Sequence, residues 1–146
     1  MPVELSAKGK TYPACTYEIG REKIREYARA VGEDNPVYLE RDAARAAGFR
    51  DVAAPPMFAV VYSSEALMAG LFDPEVGIDF ARLVHGGQEF AWGEPVCSGD
   101  TIGTTLALED IYERAGLAFY VFESVSSNQD GAEVVRGTWT NIVRGE

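Results

Sequence analysis

The first fifty residues carry an apolar repeat with the period of an amphipathic helix. Four apolar residues fall at positions i, i+3, i+4 and i+7 and would form one helical face: Ile24, Tyr27, Ala28 and Val31. Gly32 predicts the end of this helix. Strong helix formers predict a second short helix from Asp42 to Gly48, after a loop that contains Pro36.

Residues 57–70 predict a helix of a different kind. The segment carries no charge before Glu65, and its first seven residues are apolar on every side, which is typical of a helix surrounded by protein. Pro56 suits the first turn of such a helix because its missing N–H costs nothing there. The β propensity of residues 58–62 leaves a buried strand as an alternative, but the length of the segment and the Pro-Pro start favour the helix.

From residue 79 onward, apolar stretches are separated by turn signals. We expect strands over five stretches: Phe80–Val84, Phe90–Trp92, Ile102–Ile111, Leu117–Val125 and Val134–Val143. Two of the turn signals, at 114–116 and 128–131, predict hairpins between long strands. Consecutive strands joined by tight turns form an antiparallel sheet. The sequence therefore predicts an α+β fold in which one long helix packs against a curved antiparallel sheet.

The predicted sheet has a consequence for assembly. Long strands leave an exposed edge, which proteins usually cover or pair. We therefore expect dimerisation through the sheet, with ligands held between the subunits. The length of 146 residues fits one domain, 1–146. If two such chains pair, one chain supplies half of a working unit.

Charge is distributed unevenly along the chain. The net charge is −10 and the isoelectric point is near 4.6, which argues against a nucleic-acid partner. Residues 1–50 carry nine Lys/Arg and eight Asp/Glu, whereas residues 51–146 carry four and fifteen. An anionic partner would therefore meet the first third of the chain. Six basic residues could form a rim for such a partner: Lys23, Arg25, Arg29, Arg41, Arg45 and Arg50.

The scarce residues exclude several classes of protein. Cys15 and Cys97 are too few and too far apart in sequence for a disulfide framework or a zinc site, so we expect two reduced thiols. The single histidine, His85, excludes an all-histidine metal site, and we expect neither a metal nor a cofactor. No run of eighteen apolar residues exists, and the N-terminus does not resemble a signal peptide. We expect a cytoplasmic protein that does not enter the membrane.

The order of motifs resembles the MaoC-like hydratase/dehydratase branch of the hot-dog superfamily, and in particular its FAS1-like dehydratase group. Four segments carry the resemblance, with support from residues 85–90 and 95–100: Gly32-Glu-Asp-Asn-Pro-Val-Tyr38, Ala47-Gly-Phe49, Ala54-Pro-Pro-Met57 and Gly99-Asp-Thr101. The resemblance implies a hot-dog fold, in which a curved antiparallel sheet wraps around a central helix, and dimers. It also implies the addition or removal of water on an acyl thioester carried by coenzyme A or acyl carrier protein, as in fatty acid metabolism.

The loop that carries catalysis in this family departs from its pattern here. Catalytic members read Gly-Asp-x-Asn-Pro-x-His; Gly32, Asn35 and Pro36 match, whereas Glu33 replaces the aspartate and Tyr38 the histidine. The chemistry needs a base that is unprotonated near neutral pH. A tyrosine with an ordinary pKa of about 10 is ionised only to roughly one part in a thousand at pH 7. One half of the Asp/His dyad is therefore expected to be lost.

The start of the central helix departs as well. Catalytic relatives often begin it with His-Gly, and the resemblance implies that its amides polarise the thioester carbonyl. Here Pro55 and Pro56 supply no N–H, although Met57 and Phe58 keep theirs. The candidate substrate-binding residues are Asn35, Pro36, Pro56, Met57 and Phe58. A buried face of the helix could line an acyl tunnel through Phe58, Val61, Tyr62, Leu67 and Met68.

Three functions remain open. The first is a substrate-binding or stabilising subunit of a heterodimeric (R)-3-hydroxyacyl thioester dehydratase, whose catalytic hot-dog partner supplies the dyad. The second is a self-sufficient homodimeric enoyl thioester hydratase/dehydratase that uses Glu33 with Tyr38 or His85 as catalytic residues, or a hot-dog thioesterase. The third is an acyl-thioester binding module without chemistry. His85 could equally be a strand residue that packs against the sheet.

Overall fold

The structure, a computed structural model, describes residues 3–145. These residues contain five strands and four α-helices. The strands are β1 (Thr11–Glu18), β2 (Leu83–Trp92), β3 (Thr101–Arg114), β4 (Leu117–Ser127) and β5 (Glu133–Val143). The helices are α1 (Arg21–Ala30), α2 (Arg41–Ala46), α3 (Ala59–Tyr62) and α4 (Ser64–Leu71). Short 3-10 helices cover Leu5–Ala7, Pro36–Tyr38, Pro56–Phe58 and Phe80–Arg82.

The strands form one antiparallel sheet in the order β1-β3-β4-β5-β2. The two predicted hairpins are present and join β3 to β4 and β4 to β5. In the first turn, Ala115 and Gly116 have φ angles of +52° and +77°, as a two-residue hairpin of the primed type requires. Strands β1 and β2 lie at the two edges of the sheet. The predicted α+β class is confirmed.

Helix α4 packs on the sheet near β1, β3 and β4. Gly70 is the point of close approach, since a Cβ there would lie 2.4 Å from Phe122 Cε1 and 2.7 Å from Leu106 Cδ2. Both of these side chains are buried. The helix therefore needs a residue without a side chain at this position in order to reach the sheet.

The core contains two apolar clusters. One cluster gathers around α4 and includes Leu67 and Phe122, whereas the other gathers around α1 and α3 and includes Phe58. Three buried hydroxyls form a polar seam: those of Ser63 and Ser126 lie 3.4 Å apart, and that of Thr104 lies 2.7 Å from Ser126 Oγ. The hydrogen bonds allow these hydroxyls to be buried without the cost of unpaired polar atoms.

The central helix differs from the expected one, which was covered on every side. It begins as a 3-10 turn and continues through Ser63, whose N–H donates to the carbonyl of Ala59 at 3.0 Å and whose hydroxyl joins the polar seam. Met57 and Met68 are 48% and 42% exposed, so the prediction of a helix covered on every side is wrong for this chain by itself. Helix α1 matches the prediction at Ile24 and Ala28, which are buried, but Val31 is exposed just beyond its end.

Strand β2 also differs from the expectation. Two separate strands were expected over residues 80–84 and 90–92, but one strand runs from Leu83 to Trp92. Its polar middle segment is compatible with a strand, because one face of an antiparallel sheet can be exposed to solvent. The register against β5 shifts between His85 and Gly87. Gly86 lies at this bulge, where an added Cβ would lie 2.4 Å from Ile142 Cδ1 and would force the Ile142 side chain to move.

No helix within residues 3–145 is long and apolar enough to cross a membrane.

Replacing Gly70 by valine tests the contact between α4 and the sheet. The added side chain would collide with Phe122 and Leu106, so we expect the free energy of unfolding to fall by about 2 kcal/mol. The control is Ala69→Val on the exposed side of the same helix, where only helix propensity changes, by about 0.6 kcal/mol. Urea denaturation measures both. Equal losses in the two variants would show that the contact is not tight.

Candidate functional site

An apolar cavity of about 260 Å³ opens near the start of the central helix. Six segments of the chain contribute its walls. The lining residues are Val37, Tyr38, Phe49, residues 53–56, Tyr62, residues 92–96 and Val134. Three of them carry titratable groups: Tyr38, Tyr62 and Glu94. The cavity is therefore an apolar cleft with few polar groups, which is typical of a small-molecule site.

Backbone hydrogen bonds hold one wall of the cavity together. The N–H of Ala53 donates to the carbonyl of Val37 at 2.9 Å, and the N–H of Ala54 donates to that of Val96 at 2.8 Å. Residue 53 also forms a β-bridge with Cys97. The segment that precedes the central helix is thus tied on one side to the Tyr38 turn and on the other to the segment before β3.

A buried carboxylate anchors this wall. Asp100 is 1% exposed, and its side chain accepts hydrogen bonds from Arg50 Nη2 at 2.6 Å, Gln129 Nε2 at 3.0 Å and the Cys97 N–H at 2.9 Å. Burial by itself opposes ionisation, but these three donors outweigh it and hold the pKa of Asp100 below its usual value. The main chain of Asp100 also accepts from Ile19 N–H. One side chain and its backbone therefore join four separate segments.

The Tyr38 side chain reaches the cavity from a capped turn. Asn35 caps the 3-10 helix Pro36–Tyr38: its Oδ1 accepts from the N–H of Val37 at 3.1 Å. Gly32 precedes the turn with a φ of +77°, a conformation that favours glycine. Asn35 and Pro36 thus shape the turn and do not line the cavity, whereas Tyr38 lines it.

The three candidate catalytic residues do not meet in the structure. Glu33 is exposed and is not among the cavity residues. His85 is exposed on β2, where its ring contacts Trp139 edge-on at 6.4 Å between centroids. It precedes the cavity residue Trp92 by seven positions of the strand, or roughly 23 Å. Of the three, only Tyr38 lies at the cavity.

The candidate substrate-binding residues are also divided. Pro56 lines the cavity together with Pro55. Phe58 is fully buried in the core, and Met57 is exposed outside the cavity. Of the residues expected to line an acyl tunnel, Tyr62 lines this cavity, and Phe58, Val61, Leu67 and Met68 do not.

Several lining residues were not anticipated from the sequence. Trp92 and Glu94 stand at the end of β2, in a stretch that sequence patterns identify only as a strand followed by a turn. Phe49 follows α2, and Val134 lies at the start of β5. An exposed tryptophan at a strand end is the one signal that could have drawn attention to this region, since large aromatic side chains are enriched at binding sites.

A second, more polar cavity of about 360 Å³ adjoins the first. The two share Phe49, Glu94 and Pro95, and Arg50 lines the second. The expected basic rim is only partly free for a ligand, because Arg50 is paired with Asp100 and Arg25 with Glu22. Within residues 3–145, no group of three or more histidine, cysteine, aspartate or glutamate side chains is arranged to hold a metal ion.

Comparison with known sequences identifies relatives over nearly the whole chain. The model of the family described as FAS1-like, dehydratase domain region, matches residues 6–136. A UPF0336 protein of Clavibacter michiganensis subsp. michiganensis is 43% identical over 147 residues, which cover 100% of this chain and 99% of that protein.

Comparison with solved structures identifies the fold. A chain of the C-terminally truncated HadBC (3R-hydroxyacyl-ACP dehydratase) complex from Mycobacterium tuberculosis is similar, with a TM-score of 0.83 and 26% identity over 93% of this chain and 96% of that chain. R-hydratase PhaJ1 from Pseudomonas aeruginosa has a TM-score of 0.73 and 21% identity over 95% and 83% of the two chains, a likeness of fold alone. The expected MaoC-like hot-dog fold is confirmed.

Replacing Asp100 by asparagine tests whether the carboxylate anchors the cavity wall. At pH 7 we expect the free energy of unfolding to fall by about 2 kcal/mol, because hydrogen bonds to a charged acceptor are lost. Since the pKa is lowered in the folded state, this stabilisation is present above the unfolded pKa of about 3.9 and disappears as pH falls through the folded value.

The difference in the free energy of unfolding between the wild type and Asp100→Asn should therefore shrink in denaturation measurements made below about pH 4. Asp130→Asn, which alters an exposed carboxylate near the same polar cavity, is the control and should change stability little. A difference that stays constant from pH 7 to pH 3 would contradict the ionised anchor.

Proposed function

The chain belongs to the FAS1-like dehydratase domain family, and from this premise we propose that it is an acyl-thioester-binding subunit of a hot-dog (R)-3-hydroxyacyl thioester dehydratase or hydratase. In this role the chain binds the acyl group of a coenzyme A or acyl carrier protein thioester and stabilises the assembly. A catalytic hot-dog partner supplies the Asp/His dyad. The HadBC complex, a 3R-hydroxyacyl-ACP dehydratase of which one chain is similar to this one, supports such an arrangement.

The observation that carries this proposal is the chemistry of the cavity. Its walls combine aromatic and aliphatic side chains with two tyrosines, and no histidine lines it. Burial raises the pKa of Tyr62 well above its usual range, so this hydroxyl stays protonated at neutral pH. A neutral tyrosine can hold a ligand but cannot remove a proton from carbon or water at a useful rate. The cavity is thus suited to binding an acyl group.

The alternative of a self-sufficient enzyme has less support. It requires Glu33 to act with Tyr38 or His85, and these residues do not share the cavity. Glu94 lines the cavity, but a carboxylate alone lacks the second group that completes acid-base catalysis across a double bond. Binding with chemistry supplied by a partner accounts for the arrangement with fewer assumptions.

Binding and turnover measured on the same sample test the proposal. We expect the purified chain to bind butyryl-CoA but to hydrate crotonyl-CoA only at the uncatalysed rate. Ala54→Phe, which fills the cavity, should weaken binding about tenfold or more, equivalent to at least ~1.4 kcal/mol. Ala69→Phe on the exposed side of α4 is the control and should bind like the wild type.

Two results would contradict the proposal. Failure of the wild type to bind butyryl-CoA would exclude the binding role. Hydration of crotonyl-CoA by the chain alone, with activity lost in Glu33→Gln, would establish the self-sufficient enzyme in its place.

Strand β2 is the edge through which we propose that the chain pairs with a second hot-dog chain, either a copy of itself or the catalytic subunit. The outer edge of β2 has no partner among the described strands. An open edge of ten residues would otherwise invite aggregation. Val84 and Trp92 on this strand are 39% and 50% exposed, and pairing would cover them.

The bulge in β2 defines a register for pairing with a second copy. If the whole of β2 pairs antiparallel with β2 of a second copy, and Gly86 is the extra residue of a bulge, the twofold axis of the pair passes through Gln88. The bulge then keeps the inward-facing side chains of the two strands on the same face of the joined sheet. In this register Gly87 lies directly opposite Glu89 of the partner subunit. Both face away from the helices, since their β5 partners are Thr140 and Thr138.

A charge placed at Gly87 tests this register. Gly87→Glu should weaken the dimer, because like charges would lie directly opposite each other, whereas Gly87→Lys should preserve it. A Cβ at this position is accommodated, since its nearest contact is Thr140 Cβ at 3.7 Å. Sedimentation equilibrium of the purified chain measures the dissociation constant. An identical response to glutamate and lysine would contradict the register.

A further inference from the structure

Tyr62 presents an unpaired hydroxyl to the apolar cavity. The residue is 4% exposed, and its ring packs against Phe58 with the centroids 6.2 Å apart. Its hydroxyl has no hydrogen-bond partner among residues 3–145. Among the described residues that are not exposed, Gln88 Oε1 is the one side-chain polar atom that is both inaccessible to solvent and unpaired. The unpaired Tyr62 hydroxyl is therefore accessible to solvent. Tyr62 lines the cavity, and we therefore take the cavity to be the open space that this hydroxyl meets.

The surrounding backbone offers few other donors. Pro55 and Pro56 form part of the same wall and have no N–H. The N–H of Phe58 is already donated to the carbonyl of Pro55 at 2.8 Å. The Tyr62 hydroxyl is therefore the buried hydrogen-bond donor that is available to a ligand oxygen inside the cleft, because Tyr38 and Trp92 are more exposed.

From this geometry we infer that the Tyr62 hydroxyl donates a hydrogen bond to the carbonyl oxygen of the bound acyl thioester and so sets how far the acyl chain enters the cavity. The inference rests on the proposed function, which places an acyl thioester in this cleft. A hydroxyl that stays protonated is a donor at neutral pH, and a carbonyl oxygen can only accept. In apolar surroundings such a bond contributes to specificity, because a ligand without the acceptor leaves the hydroxyl unpaired.

Two probes that differ by one oxygen test the inference. Butyryl-CoA carries the carbonyl, and S-butyl-CoA, the corresponding thioether, lacks it. We expect Tyr62→Phe to weaken binding of butyryl-CoA about fivefold, within the roughly 2- to 13-fold that corresponds to a neutral hydrogen bond of 0.5–1.5 kcal/mol. Binding of S-butyl-CoA should not weaken, because this ligand leaves the Tyr62 hydroxyl unpaired in the wild type. A purely structural role of Tyr62 would shift both ligands equally.

Tyr27→Phe is the matched control, since Tyr27 also packs edge-on against Phe58, at 5.4 Å, but does not line the cavity. It should leave the affinity for both probes unchanged. Equal affinity of the wild type and Tyr62→Phe for butyryl-CoA would overturn the inference and leave the proposed function intact. Failure of the wild type to bind either probe would overturn the proposed function, and with it the inference.

Discussion

The ionised carboxylate of Asp100 is the interaction on which the site depends. It is buried, and it is satisfied by donors from three places: the loop after α2, the turn between β4 and β5, and the segment before β3. Its backbone joins the end of β1. These segments adjoin the cavity wall, so a buried charge that must be neutralised helps to hold the wall in place. The exposed guanidinium of Arg50 completes that neutralisation from the surface.

The cavity that results has the composition of a binding site. An active site for hydration requires a base and an acid that face the same atoms of the substrate, and the candidates for these roles are spread over the chain. Tyr38 lies in the wall, whereas Glu33 and His85 lie elsewhere. The protonated hydroxyl of Tyr62 can orient a thioester, and in the function that we propose the proton transfers fall to a second chain. Such a division of roles is compatible with a chain that has Tyr38 in place of the histidine of the dyad and Glu33 in place of its aspartate.

Local patterns in the sequence predicted the elements whose structure is decided locally. The period of α1 and the turns at 114–116 and 128–131 are of this kind, because a few neighbouring residues fix them. The pairing of the buried Ser63 hydroxyl with Ser126 could not be predicted, since the two residues lie sixty-three positions apart in the sequence. The same limit applies to the site. Family resemblance identified Tyr38 and Pro56, but Trp92 and Val134 reach the cavity only through the order of the strands.

We propose that the cleft between Tyr38, Tyr62 and Trp92 binds the acyl group of a thioester, and a crystal structure of the chain with butyryl-CoA would decide the matter. We expect the butyryl chain inside this cleft, with its carbonyl oxygen within about 3 Å of the Tyr62 hydroxyl, the length of an ordinary hydrogen bond. An empty cleft, with butyryl-CoA bound elsewhere on the protein, would contradict it.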